Sequence, residues 1–421
     1  MITGNKPIIT LNIRDSPRVF TRVVYMENNH KMRWKQLVLA VFLTFSIWAP
    51  LFAIPQMEPI LTKNFAISHF QVGLLFSGPI IMLALAAIPA GIIADKIGIK
   101  RAIGIGAILA LIGAVLRGSA TSYLSLFLFS LILGLGLGFS FTNLPKLARA
   151  MGKPRQTPLM MGILNGGGVM AGIGVALAIT VPLIYPLTNT YSGVFYIWSV
   201  PLLIATVLWW ALVSEPPRTS SKIVTEKAPA QNTKGLFQNK ILWLLAVLLF
   251  LHNFIFYSWS GWIPTYLMEK GASASSAGLT TSIMLWVSIP TVILVPLLAV
   301  KFNLPRKLFI WIPSLVYAFL SAGILYASGF SVWLIMATAG FVNVLRFNTL
   351  ITLPVEFAPA ERAGAASGIV VAFGYIGAVA GPIISGQILD VTGSFSVIFG
   401  ILVMVSLIST GLAFFIPKSS H

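Results

Sequence analysis

The sequence predicts an all-α membrane protein in which twelve transmembrane helices form two pseudo-symmetric six-helix bundles. Three observations predict it. Of the 421 residues, 57% are hydrophobic and 9% are charged, against roughly 25% charged in an ordinary soluble chain. The apolar residues gather in runs near the ~20 residues that cross a hydrocarbon core. The basic residues fall in the gaps between those runs, on one side.

Cutting the apolar runs at charges and at Pro/Gly/Asn clusters places spans near 36–57, 70–93, 102–119, 123–145, 158–182, 193–213, 241–263, 276–299, 308–327, 331–353, 364–388 and 395–416. The 36 glycines and 25 prolines would break soluble helices, but a bilayer tolerates them where neighbouring helices satisfy the freed backbone groups. Trp34, Trp209, Trp210, Trp262 and Tyr266 fall near span ends, where amphipathic rings favour the interface.

Placing both termini in the cytoplasm puts 24 of the 28 Lys and Arg residues inside, from Lys6 before span 1 to Lys418 after span 12. Lys63, Arg117 and Lys270 remain outside, and Arg346 lies within span 10. Such a bias sets orientation. The net charge of +18 is therefore a topology signal, with some attraction to anionic lipid, rather than a nucleic-acid footprint. The expected location is the cytoplasmic (inner) membrane. Residues 1–34 carry no apolar core of a cleavable signal, and Met26 and Met32 leave the start codon open.

The organisation follows: a basic tail at 1–35, a bundle at 36–213, a polar cytoplasmic linker at 214–240, a second bundle at 241–416 and a short tail at 417–421. The halves echo each other. Arg101 and Arg306 close equivalent loops 205 residues apart, and Gly162 answers Gly368 at 206. Asn143-Leu144-Pro145 answers Thr352-Leu353-Pro354 at 209. Matches near one offset indicate a duplicated six-helix unit, an architecture common in carriers with a site between the halves.

Several classes are excluded. With no cysteine there is neither a disulfide nor a thiol-ligated metal. His30, His69, His252 and His421 are scattered, and only ten acids are present. No cluster suits a hydrolase or a metalloenzyme, so neither enzyme activity, cofactor nor metal is expected.

The loop after span 2 reads Gly91-Ile-Ile-Ala-Asp95-Lys96-Ile-Gly98-Ile-Lys100-Arg101. This resembles the G-x-x-x-D-[RK]-x-G-x-[RK]-[RK] signature of the major facilitator superfamily. Gly91 permits close helix approach, Gly98 a tight turn, and Asp95 places an acid at a helix end. The second copy keeps Lys301, Arg306 and Lys307 but has Val300 where the acid would be. The resemblance implies the two-bundle fold, transport of a solute, and a gating role for this loop, which latches the halves at the cytoplasmic face. Within the superfamily the chain is most similar to the cyanate permease branch, through Arg155-Gln-Thr-Pro158-Leu-Met-Met-Gly162 and Trp262-Ile-Pro264-Thr-Tyr266. That branch carries an arginine before the proline of span 1, where this chain has Trp48-Ala49-Pro50.

Candidate solute contacts lie deep in the spans. An arginine at the depth of Arg346 costs at least ~2.5–3.5 kcal/mol on insertion scales, and no acid lies at similar depth to pair with it. Asn343 and Thr349 are expected to share its face. A guanidinium facing a cavity suits an anion, since its fork matches carboxylates and oxyanions; the alternative is snorkelling to the inner surface. His252, with Asn253 and Tyr257, marks polar stripes on span 7, and a histidine bonded to a neighbouring helix is the bland alternative. Trp48, Asn165 and Tyr375 are further candidates. The glycines of Gly162-Ile-Leu-Asn165-Gly166-Gly167-Gly168 either belong to a site or permit close packing. The expected function is secondary active transport of a small anionic solute by a lipid-embedded monomer. The rivals are an exporter of apolar or cationic compounds and a non-transporting sensor or scaffold.

Overall fold

The computed structural model describes residues 34–152, 156–215, 234–302, 305–358 and 362–417. The basic tail, most of the linker and the last four residues lie outside these.

Each expected span coincides with a helix. The first bundle holds α1 (Trp34–Gln56), α2 (His69–Ile97), α3 (Ile99–Gly118), α4 (Tyr123–Met151), α5 (Leu159–Thr188) and α6 (Tyr191–Leu212). The second holds α7 (Lys240–Glu269), α8 (Ala274–Phe302), α9 (Leu308–Gly323), α10 (Phe330–Glu356), α11 (Ala363–Thr392) and α12 (Phe395–Ala413). Among the described residues, ten helices are long and apolar enough to cross a membrane, and α9 is a shorter apolar helix.

Local chemistry sets the helix ends. Ser68 accepts from the N–H of Gln71, whose side chain accepts from the N–H of Ser68, so a capping box starts α2. Ser122 and Ser125 do the same for α4. Asn239 Oδ1 accepts from the N–H groups of Ile241 and Leu242 at the start of α7. Between α2 and α3 the chain turns at Gly98, whose φ of +104° favours glycine; the Glu215 carboxylate fills the space a Cβ would need.

Three expectations are corrected in detail. Span 4 does not stop at Pro145: the helix breaks at Asn143 and resumes to Met151, because proline is tolerated in a first turn. Span 5 is not plainly α-helical, since Leu164–Met170 and Thr180–Ile184 are π-helical turns. Its glycines serve packing: Gly168 and Gly172 meet Thr44 and Phe45 of α1, while Gly166 and Gly174 meet Val292 and Leu285 of α8. Thus α5 is wedged between the bundles. Arg117, expected on the outer surface, is fully buried in the first bundle. Its Nη1 donates to the Pro50 carbonyl at 3.0 Å, and its guanidinium lies 4.2 Å from the Phe195 ring centroid. A carbonyl and a π face there replace part of its water shell.

The bundles meet along α2–α11, α5–α8 and α1–α7. The loops carrying the basic residues lie at one end of the molecule, here the basic face. Polar ties between the bundles lie toward the other end. Ser77 Oγ donates to the Val379 carbonyl at 3.0 Å. Asp390 of α11 accepts from the N–H groups of His69 and Phe70 at 2.9 and 2.8 Å. Glu58, buried at the start of the short helix Glu58–Phe65 that follows α1, contacts His69 Nδ1 at 3.0 Å and accepts from Thr265 Oγ1 at 3.3 Å.

Candidate solute site between the bundles

A cavity opens between the bundles near the middle of the helices, with an empty volume of about 660 Å3, space shared with solvent included. The first bundle contributes Trp48 from α1, Phe141 from α4, and Asn165, Val169, Met170 and Ile173 from α5. The second contributes His252, Asn253, Phe256 and Tyr257 from α7 and Val292 from α8. Asn343, Val344, Phe347 and Asn348 of α10 and Tyr375 of α11 complete the wall. A concave apolar site with a few convergent polar groups is the usual form of a small-molecule site.

On the side away from the basic face the cavity ends in a packed aromatic layer. The Phe52 ring stands 5.0 Å from Phe76 and 6.3 Å from Tyr257, and Phe76 stands 6.2 Å from Tyr257, between centroids. Beyond this layer come the ties through Ser77, Glu58 and Asp390. The site is closed at that end by apolar packing backed by hydrogen bonds.

Seven of the residues anticipated as solute contacts lie on this wall: Trp48, Asn165, His252, Asn253, Tyr257, Asn343 and Tyr375. His252 stacks on Phe347 with ring centroids 5.6 Å apart and planes 29° apart. Asn253 Nδ2 donates to the Gly374 carbonyl at 3.0 Å, joining α7 to α11. His252 Nδ1, Trp48 Nε1 and Asn343 Oδ1 are buried and have no hydrogen-bond partner among the described protein groups. Buried polar atoms normally find a partner, and these three are left unsatisfied in this state.

Arg346 is the exception. It is fully buried but does not line the cavity. Its Nη2 donates to Ser409 Oγ of α12 at 2.6 Å, so the guanidinium neither faces the cavity nor reaches a membrane surface. Helix geometry explains this. At about 100° per residue, 343, 344, 347 and 348 span one face, and 346 lies roughly 130° from its centre. Asn343 and Arg346 therefore diverge although three residues apart, and Thr349 turns to its own helix, donating to the Leu345 carbonyl.

Sequence reasoning missed Asn348 and the rings of Phe141 and Phe347. Asn348 was discoverable, since Asn343, Val344, Phe347 and Asn348 follow helical spacing. The Glu58–His69–Asp390 ties were not, because charges at span ends carry no sequence signal of burial.

In the signature loop, Asp95 pairs with Lys146 Nζ at 2.5 Å, and that ammonium also donates to the Gly91 carbonyl at 2.9 Å. Lys100 Nζ donates to the Trp210 carbonyl at 3.0 Å, and its N–H to Glu215 Oε1 at 3.3 Å. The expected latch between halves is thus, for this ion pair, a tether within the first bundle. Hydrogen bonds at the opposite end join the two bundles. Arg101 is exposed and Lys96 sits at the last turn of α2.

The fold and the central two-bundle cavity define a solute carrier. Residues 37–382 match the family model described as Major Facilitator Superfamily, and the chain belongs to that superfamily. It is similar to the uncharacterized transporter YycB of Bacillus subtilis (strain 168), 25% identical over 89% of this chain and 90% of that one. It is also similar to the 2-nitroimidazole transporter of Escherichia coli (strain K12), 24% identical over 82% and 85%. The cyanate transport protein CynX of the same organism is 23% identical over 59% of this chain and 62% of that one; the resemblance to the cyanate branch is one among several. Among solved structures, a D-xylose-proton symporter superposes with a TM-score of 0.75 at 16% identity, covering 93% of this chain and 99% of that one. The protein is a multi-pass membrane transporter of the secondary type, and its family and relatives are transporters rather than enzymes.

Proposed function

We propose that the protein moves a small anionic solute across the cytoplasmic membrane by alternating access, with the solute held in the cavity between the bundles. One observation carries this reading. The cavity wall contains no carboxylate, while the buried Arg346 cation stands behind its α10 side with no acid paired to it among the described residues. A fixed positive charge in a low-dielectric wall favours an anion beside it. The fork of Arg346 is not offered to the solute, so its part is electrostatic, and Trp48, His252 and Asn343 supply the contacts.

Two features support alternating access. The packed end is held by few polar ties and by glycine contacts between α2 and α11, which a rocking motion separates without breaking either bundle's core. The bias of basic residues supports cytoplasmic termini, which makes this state closed to the outside. The halves at 36–213 and 241–416 act as the moving bodies, in a monomer. An exporter of cations is disfavoured by the lack of an acid on the wall.

The test is melting of the purified protein with matched pairs of anions and uncharged analogues. Anions should raise the melting temperature, and Arg346→Met should remove that selectivity. Equal stabilisation by uncharged or cationic analogues would overturn the reading.

A further inference from the structure

Resting on the reading that this cavity takes an anion, we infer that the solute is a planar aromatic or heteroaromatic carboxylate rather than a small inorganic oxyanion. The inference comes from what the wall is made of. Six carbocyclic or indole rings line it, from Trp48, Phe141, Phe256, Tyr257, Phe347 and Tyr375, with the imidazole of His252 beside them.

A bare inorganic anion suits such a wall poorly. Ring faces carry the negative side of the aromatic quadrupole, so an anion against them gains little and loses its hydration. The amides of Asn165, Asn253, Asn343 and Asn348 and the hydroxyls of Tyr257 and Tyr375 belong to the lining, but most of the surface it presents is apolar. An organic body covering the ring faces removes this mismatch, and it leaves one charged end to be satisfied.

The geometry favours a flat body over an alkyl one. Trp48 meets Phe141 edge-on, with centroids 5.4 Å apart and planes at 74°, while His252 and Phe347 lie nearly parallel. Ring faces and edges lining a cavity are the surfaces to which a further ring adds by offset or edge contacts, beyond simple burial. The polar end is equally defined. Trp48 Nε1 is an N–H donor without a partner, and Asn343 Oδ1 and His252 Nδ1 lie on the same wall. A carboxylate accepts from the indole N–H, and a hydroxyl or ring N–H on the solute satisfies the amide oxygen. The nearby charge of Arg346 acts on the carboxylate without touching it.

The experiment is isothermal titration of the purified full chain with benzoate, cyclohexanecarboxylate, benzamide and nitrite. Benzoate is expected to bind at least about tenfold more tightly than cyclohexanecarboxylate, a difference of the size that ring–ring contacts supply, with nitrite binding weakest. Phe347→Leu, checked for an unchanged melting temperature, should narrow the preference for benzoate over cyclohexanecarboxylate. Equal affinity for the two carboxylates, or tighter binding of nitrite, overturns the aromatic assignment and leaves the anion reading standing. Benzamide binding as tightly as benzoate overturns the anion reading, and with it the carboxylate. Binding of none of the four by the folded protein overturns both.

Discussion

Arg306 Nη1 lies 2.6 Å from Glu356 Oε1, and this pair is the charge-reversed counterpart of the Asp95–Lys146 pair in the other bundle. In the first bundle the end of α2 supplies the acid and α4 the base. In the second, the loop between α8 and α9 supplies the base and the end of α10 the acid. The valine at position 300 therefore does not leave the second loop untied. Both pairs are partly exposed, and such pairs add about 0–1 kcal/mol to stability. Their effect is on where the loops sit at the basic face.

Asp95→Asn should consequently impair transport more than folding. Asparagine keeps the side-chain shape but loses the charge that holds Lys146. We expect solute uptake into proteoliposomes to fall severalfold, with stability changed by less than about 1 kcal/mol. Wild-type uptake by a normally folded Asp95→Asn protein would remove the loop from the transport cycle.

Gly73→Val should hold the bundles apart at the end opposite the basic face. A Cβ on Gly73 would stand 2.5 Å from the Pro382 carbonyl oxygen of α11, which is backbone and cannot swing away. The chain has no cysteine, so one placed at Ser77, beside this contact, is the single thiol to label, and the comparison is made within that background because the substitution itself removes the Ser77–Val379 tie. A membrane-impermeant maleimide should label Ser77→Cys faster in the Gly73→Val background. Unchanged labelling would mean that the interface opens elsewhere.

Asp390→Ala should weaken the same closure by a different route. Its carboxylate accepts from the first two N–H groups of α2, so an acid of one bundle caps a helix of the other. Removing a side-chain acceptor at a helix start costs about 0.5–2 kcal/mol, and here the loss falls only on the closed state. The Ser77→Cys labelling rate should rise several-fold while the circular dichroism spectrum stays unchanged; a rate equal to the parent's would refute the tie.

Arg346→Met and Arg346→Ala should separate charge from packing. Methionine fills much of the volume, and replacing a buried charged group by a well-packed apolar one is often neutral or stabilising. Arg346→Met should therefore melt at or above the wild-type temperature yet bind anions more weakly. Arg346→Ala leaves a void beside Ser409, and the loss from large-to-small changes in a core runs to a few kcal/mol. A methionine variant with unchanged anion affinity would show that the charge plays no part at the cavity.

Composition and order alone determined that this is an all-helical membrane protein and where its apolar helices run. Long apolar runs separated by basic loops leave a chain no other way to satisfy its backbone and its charges. The positions of Trp48, Asn165, His252, Asn253, Tyr257 and Asn343 at mid-span were legible for the same reason, since a polar or amphipathic residue at that depth needs a protein partner or a cavity. Which of the two it has was decided only by the tertiary structure. Asn343 and Arg346 differ by less than one helical turn, yet one meets the cavity and the other Ser409, because helix rotation is set by neighbouring helices. The same holds for Arg117, turned inward to the Pro50 carbonyl and the Phe195 ring, and for Glu58, buried between Thr265 and His69. Hydropathy reports how deep a residue sits along a helix axis; only the packing of helices against one another determines the direction in which it points.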